Sequence, residues 1–483
     1  VREVTIRRLN NVAEVGALRA EINALNLASP RPDPFSTFEY CESLWRRGAT
    51  VAGSDAPRMW FLAAFAGREL IGYAALEQVT GRILGLRTSR LWLIGGFNAD
   101  RPHVVASAAD ITVVTERLYR YLHEHRREWD LLEFQQQDST STLYPLPPGV
   151  SLGGCWVGCW PNLENGTIRI RWSSLRQYFE ALSSKFGVNL KRQVRRLLER
   201  GDVELLTSSD PSVTPALLEL YCMVEKRSWK AGSTLTIGGD AGRLRHYQAL
   251  LEARQPMQAM VQILLLDGMP AAGLIGGSFD GPVERALYAL EVAFDRQLAP
   301  EAPGSALLLM GMRHAIGGGY TSFNLLSGFG YYKTRWLADM TATRCVQIYR
   351  VGSLLFWRRM LGDAYRRLAA YLPSRLQGRL PSGRAVEIDA QLERRSVLAP
   401  AHSITVAERA TAAELIGRAR LGVHEWLTKK ELVAALPFDV APQRSTRQPS
   451  SAPAASRHQR VKQPVPAVSA VQAAASTGAA ATG

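Results

Sequence analysis

The sequence predicts a mixed α/β (α+β) protein whose ordered part holds two mixed sheets, one in each half. Three observations predict it. Apolar residues recur at helical spacing in some segments and in short strand-like runs in others. The order of these segments in residues 1–160 returns in residues 161–350. Each half also carries a hairpin of similar pattern, AFAGRELIGYAAL at 64–76 and LLLDGMPAAGLIGG at 264–277.

The elements of the first half follow in order. A strand over Val4–Ile6 precedes a helix with Val12, Val15, Leu18, Ile22 and Leu25 on one face, ended by Pro30, Pro32 and Pro34. Residues 35–47 form a second helix, and 60–65 with 69–76 make a hairpin about Gly67-Arg68. Strands at Leu91–Ile94 and Leu131–Phe134 flank a helix expected over 104–128.

The second half opens with helices over 173–182 and 189–200 and a strand at Val203–Leu206. A helix begins at Asp210-Pro211, where proline suits the first turn, and another covers 241–254. The Asp267-Gly268 dipeptide turns the hairpin. Strand Arg285–Val292, helix Gly304–Ile316 and strand Phe323–Leu326 follow, and Thr343–Tyr349 is expected to close the second half.

Beyond 350 the texture changes. Residues 351–380 form a basic amphipathic helical segment, rich in aromatics and paired arginines, which suits an acidic membrane face through 353–372 or a docked position on the second half. Residues 381–440 read as a linker with short helices, with capping boxes at Thr411–Glu414 and Thr428–Glu431. The tail, 441–483, is rich in Pro, Ala and Ser, basic and without acids, and is expected to be disordered because it cannot bury enough apolar area to offset ordering entropy.

A chain of 483 residues with 46% hydrophobic content is long enough for two or three domains. Its net charge of +15 favours anionic partners. Five cysteines give no disulfide framework and suit a reducing compartment. Cys155 and Cys159 lack a second ligand pair, and His123-Glu-His125 lacks the spacing of a zinc helix, so no metal is expected. No apolar stretch follows a basic start and no apolar run reaches 18 residues, so neither a secretory signal nor a spanning helix is expected, and a cytoplasmic place follows.

Three stretches hold candidate chemistry. Gly304, Ser305 and Ala306 open a helix after a proline-bounded loop, and free N–H groups at a helix start suit phosphate oxygens. In the helix at 189–200, Lys191, Arg192, Arg195, Arg196 and Arg200 lie largely off the apolar stripe of Leu190, Val194, Leu197 and Leu198. That face is either solvated or anion-binding. Lys333 sits among aromatics in SGFGYYKTRW, just past a strand end.

Several segments stand in one order over about 190 residues: Trp160-Pro-Asn-Leu163, SSKFGVNLKRQVRRLLERG, Glu225-Lys-Arg-Ser-Trp-Lys230, Asp267-Gly268, Phe294-Asp295, Pro303-Gly304-Ser305, and Gly328 through Tyr332-Lys333 to Trp336. Together they resemble the tandem GNAT acyltransferases of the cellulose and exopolysaccharide biosynthesis type, with BioF-like or CelD-like acetyltransferase domains. Pro34-Phe-Ser-Thr-Phe38 and the Gly67–Leu76 hairpin extend the resemblance to about 1–350. It implies two tandem GNAT-like domains that share their architecture with Fem-type aminoacyl transferases.

The resemblance implies acyl transfer from acyl-CoA, an acetyl group above all, to an amine or hydroxyl of a small or saccharide acceptor. The cofactor's pyrophosphate would face Gly304–Ala306. Glu291 is the candidate base, and Lys333 or Tyr332 would steady the oxyanion. Arg192, Arg195, Trp229 and Lys230 would meet the acceptor. Two features depart from the pattern: Pro303-Gly-Ser305 replaces the glycine-rich pyrophosphate loop, and no carboxylate precedes the Tyr-Lys pair in 328–331. A tRNA-dependent aminoacyl transferase, the only reading that brings in a nucleic acid, and a non-catalytic membrane-surface protein stay open beside the transferase. The transferase reading expects the amides after Pro303 and the Lys333 ammonium to meet in one hollow.

Overall fold

Local sequence signals set most of the strands. In a computed structural model, residues 3–48, 57–95, 99–233, 236–253, 256–328, 330–370 and 404–439 are described, all within one compact unit. The tail at 441–483 and residues 371–403 lie outside them.

The strands are β1 (Val4–Leu9), β2 (Arg58–Ala66), β3 (Glu69–Ile83), β4 (Leu86–Leu93), β5 (Val105–Ala106), β6 (Leu131–Gln137), β7 (Cys155–Pro161) and β8 (Asn165–Arg169). They continue as β9 (Val203–Ser208), β10 (Met257–Leu266), β11 (Met269–Asp280), β12 (Arg285–Phe294), β13 (Ser322–Ser327), β14 (Asp339–Thr341), β15 (Arg344–Arg350) and β16 (Glu425–Leu427). The helices are α1 (Val12–Gly16), α2 (Arg19–Ala28), α3 (Phe38–Gly48), α4 (Ile111–Glu124), α5 (Leu175–Ala181), α6 (Ser184–Arg200), α7 (Thr214–Arg227), α8 (Ala241–Glu252), α9 (Pro303–Gly317), α10 (Gly330–Arg335), α11 (Leu354–Ala370), α12 (Val406–Arg420) and α13 (Lys429–Ala435).

Two mixed sheets result. The first runs β1-β2-β3-β4-β6-β15-β7, with β5 beside β3; the second runs β14-β8-β13-β12-β11-β10-β9-β16. Each has one short parallel contact reached through a helix. β4 meets β6 over residues 90–92 and 131–133 after α4, and β12 meets β13 over 286–288 and 322–324 after α9. The second-half hairpin turns where expected, with Asp267 and Gly268 both at positive φ, +50° and +70°. α6 buries Leu190, Val194, Leu197 and Leu198, the stripe read from its spacing, and, starting earlier than expected, Phe186 as well.

Three expectations are corrected. The strand at Thr343–Tyr349 closes the first sheet, not the second: β15 lies between β6 and β7 with Val346 and Ile348 buried. Residues 404–439 are not a passive linker. α12 buries Ala412, Leu415, Ile416 and Ala419, and β16 pairs antiparallel with β9. Thr411–Glu414 falls inside α12, whose capping box is Thr405–Glu408; the box at Thr428–Glu431 forms as read.

One apolar core spans both halves. Phe35 meets Tyr288 edge-on at 5.3 Å, and Tyr40 meets His246 in the same way at 5.3 Å. The Leu415→Ala variant is expected to lose about 2–5 kcal/mol of stability, because it opens a cavity in this core. Urea unfolding of the full chain measures it, and a passive linker would leave the midpoint where it was.

Candidate functional site

The carboxyl ends of β12 and β13 make the notable opening. These parallel neighbours pair only as far as Tyr288 and Asn324. Two residues on, the pairing of β12 with β11 slips, leaving Leu290 as an extra residue in β12. Leu290, Glu291 and Val292 are then half-buried, and past Tyr288 that edge of β12 pairs with no strand among the described residues. In sheets with parallel crossovers, ligands bind in the crevice beyond the carboxyl ends of such strands. α9 starts after β12 and Lys333 follows β13, so both stand at these ends.

Lys333 is 1% exposed. Its stem lies against Gly166 of β8, where a Cβ would come within 2.8 Å of the lysine Cδ. Its Nζ donates to the Leu326 carbonyl at 2.5 Å, the one hydrogen bond it makes among the described residues. Leu326 is left-handed, φ +58°, and its N–H donates to Asn324 Oδ1 at 2.7 Å. Asn324 Nδ2 in turn donates to Asp100 Oδ2 of the first half at 3.0 Å. Burial pushes the Lys333 pKa down to about 8, with the Asp100 charge opposing the shift. Tyr332 beside it is exposed, its ring 5.9 Å from the ammonium.

Asp100 belongs to a buried polar junction. Arg101 lies 3.2 Å from Asp100 and 3.2 Å from Asp138, which Arg31 also reaches at 3.2 Å. Asp100 Oδ1 has no partner among the described residues, and neither polar atom of the fully buried Asn165 side chain has one. The sequence reading missed Asp100 and Asn324. Asp100 carries no local signal, whereas Asn324 is the odd polar residue in the apolar run 323–326.

Glu291 sits differently. Its Oε2 pairs with Lys230, and its Oε1 takes Arg243 at 2.5 Å and the Tyr247 hydroxyl at 2.9 Å. Burial opposes its charge, but Lys230 and Arg243 outweigh that and hold its pKa below the usual carboxylate range. A carboxylate so held is a weak base. Lys230 is buried, also lies 3.6 Å from Glu225 and donates to the Tyr221 hydroxyl at 3.1 Å. Trp229 is part-exposed, its ring 5.7 Å from the Lys230 ammonium. The structure thus brings Glu291, Lys230 and Trp229 together as one cluster.

The start of α9 offers fewer amides than expected. The N–H groups of Ser305 and Ala306 both donate to the Ala302 carbonyl, at 2.9 and 3.2 Å. Pro303 has none to give, so Gly304 supplies the one remaining N–H of this turn. A Cβ at Gly304 would lie 3.0 Å from the Phe294 ring, so its small size serves helix–strand packing. Arg192 is exposed and bonded to Asn189 at 2.7 Å, and the buried Nε of Arg195 has no partner among the described residues. Arg196 holds the Pro300 carbonyl at 2.7 Å, which ties α6 to the loop before α9. None of the main hollows among the described residues is lined by residue 304 or residue 333. A hollow of about 500 Å³ lies in the first half, lined by Arg8, Trp45, Trp60 and Glu77, and includes neither residue.

Two measurements check this electrostatics. The Lys333 ¹³Cε resonance is expected to titrate near pH 8 rather than at the ordinary 10.5, and lower still in Asp100→Asn, which removes the charge that raises it. The folded chain then binds fewer protons than the unfolded one between about 8 and 10.5, so the destabilisation from burying Lys333 is full below that window and fades as pH rises through it. Separately, Glu291→Gln removes the carboxylate that Lys230 and Arg243 share, leaving Lys230 only Glu225, and is expected to lower stability by about 3–5 kcal/mol in urea unfolding.

Residues 184–334 match the family model of the acetyltransferase (GNAT) domain. No curated protein matches the chain. Solved structures resemble it at low identity. FemX is 11% identical, over 68% of this chain and 95% of that one, with a TM-score of 0.47. The C-terminal (DUF2156) domain of a putative lysylphosphatidylglycerol synthetase from Agrobacterium fabrum is 14% identical, over 74% and 96%, with a TM-score of 0.43. A tandem GNAT protein from the clavulanic acid pathway is 10% identical, over 73% and 99%, with a TM-score of 0.42. The domain match does cover the second half from α6 to α10, and with it the open edge of β12 and Lys333.

Proposed function

We propose that this chain is an acyl-CoA-dependent N- or O-acyltransferase that carries an acyl group, with acetyl as the first choice, to an amine or hydroxyl of a small or saccharide acceptor. One observation carries the reading. The parallel contact of β12 with β13 stops at Tyr288 and Asn324, opening a backbone edge that leads to the buried, under-compensated ammonium of Lys333. An extended thioester arm suits such an edge, since it can add hydrogen bonds where a strand would. The domain match over the same residues supports the same donor. Exopolysaccharide or envelope synthesis fits the kind of acceptor, and a CoA donor puts the reaction in the cytoplasm.

In this reading the neutral acceptor nitrogen attacks the thioester carbon. The new C–N bond forms as the C–S bond breaks, and the acceptor proton ends on the departing thiol. Charge gathers on the carbonyl oxygen in between. Lys333, still mostly protonated at neutral pH, meets that charge with its N–H groups not used by Leu326. The free oxygen of Asp100 takes the acceptor's N–H or O–H from the opposite half. Glu291 holds the segment after α7, and α8, against β12 through Lys230 and Arg243 and shapes the wall of the opening.

The test is transfer from radiolabelled acetyl-CoA to a panel of amino sugars and sugars. Lys333→Met is expected to lower kcat by a factor of roughly 10²–10³ with an unfolding midpoint close to that of the intact chain. The proposal fails if the intact chain neither transfers label nor gains thermal stability with CoA. Transfer that needs charged tRNA and vanishes with ribonuclease would move it to the aminoacyl class.

A further inference from the structure

We propose that α11 and the hollow beneath it form a docking site for a bilayer surface bearing anionic phosphate headgroups. Trp357, Leu361 and Tyr365 are 53%, 66% and 45% exposed. They stand four residues apart, so at about 100° per residue they fall within one narrow face. Nothing among the described residues covers that face. Large apolar side chains gathered in one exposed patch, not scattered singly, mark an interaction surface.

Arg358 stands beside this stripe, about 100° round the helix from Trp357. It helps to line a hollow of about 240 Å³ together with Arg90, Arg359, Gln347, Tyr349 and Leu355. Three arginines thus line one small space. Arg90 lies 3.4 Å from Glu133, and Arg359 pairs with Asp363 at 2.9 Å and stacks on the Trp160 ring at 4.0 Å. Arg358 is exposed and has no ion pair among the described residues. The arginine fork suits phosphate oxygens.

The juxtaposition selects the partner. A free phosphate would use the arginines and leave the apolar stripe in water. An acyl-chain surface without charge would use the stripe alone. A phosphate-headed lipid layer answers both at once, with Trp357, Leu361 and Tyr365 at the acyl boundary and the hollow at headgroup depth. No helix among the described residues is long and apolar enough to cross a membrane, so the contact is with its surface.

The test uses the full chain in sedimentation with phosphatidylcholine vesicles, with and without phosphatidylglycerol. Binding is expected only when phosphatidylglycerol is present, and to weaken with salt. Trp357→Ser with Leu361→Ser is expected to weaken partitioning by roughly tenfold or more, from the apolar burial lost. Arg358→Glu should reduce the preference for phosphatidylglycerol. Both variants should keep the unfolding midpoint, since these side chains are exposed. The proposal is overturned if the intact chain ignores both vesicles or binds both alike. It is also overturned if the double variant binds as the parent does, which would assign the binding to another basic segment, or if glycerol phosphate in solution competes while the stripe variants change nothing.

Discussion

The constraint on which the candidate site depends is a ribbon that passes between the two sheets. β7 and β8 are joined through 162–164, and β14 and β15 through 342–343. The two crossings run side by side. Thr341 pairs with Asn165, the Asn162 N–H donates to the Thr343 carbonyl at 2.9 Å, and Arg344 pairs with Pro161. Each half therefore owes its sheet strands from both ends of the ribbon. Lys333 lies between β13, fixed in the second sheet, and β14, the last strand before the chain crosses to the first. Its backbone is held between two strands of the second sheet, next to the crossing.

That placement bears on the energetics of the two buried lysines. Lys230 has two carboxylates and a tyrosine hydroxyl, whose attraction offsets the loss of hydration. Lys333 has one carbonyl and a carboxylate that acts at a distance through Asn324. The first arrangement holds a structure together. The second leaves N–H groups of a buried cation unanswered among the described residues, which folding alone would not favour and which a negative charge arriving in the opening would satisfy. Groups shifted by burial in this way gather at reactive sites, although structural networks shift them too, and the Glu291 cluster is such a network.

The sequence made local features legible and left non-local ones hidden. The Asp267-Gly268 hairpin, the stripe of α6 and the capping box at Thr428 each depend on residues a few positions apart, and each forms as read. The sheet that receives Thr343–Tyr349 depends on a partner some 185 residues away, at Cys155–Pro161, and spacing says nothing of that. α12 and β16 looked like linker because their apolar faces are short, yet the β9 edge and α7 were there to receive them. Lys333 stood out because aromatics around a strand-end lysine are unusual. Gly304 stood out for a reason the structure shows to be packing against Phe294.

The carboxylate absent from 328–331 gains a different meaning here. A transferase site needs a group to receive the acceptor's proton or orient its N–H, and a chain segment beside Lys333 is one place to carry it. In this fold the carboxylate that acts on Lys333 comes from the other half, on the segment leading to β5, and reaches the second sheet through Asn324. An acid supplied that way is held by the junction of Arg31, Arg101 and Asp138 rather than by its neighbours in sequence. The site is then complete only when the ribbon has locked both sheets in register, and a change that loosens the junction acts on Lys333 without touching it.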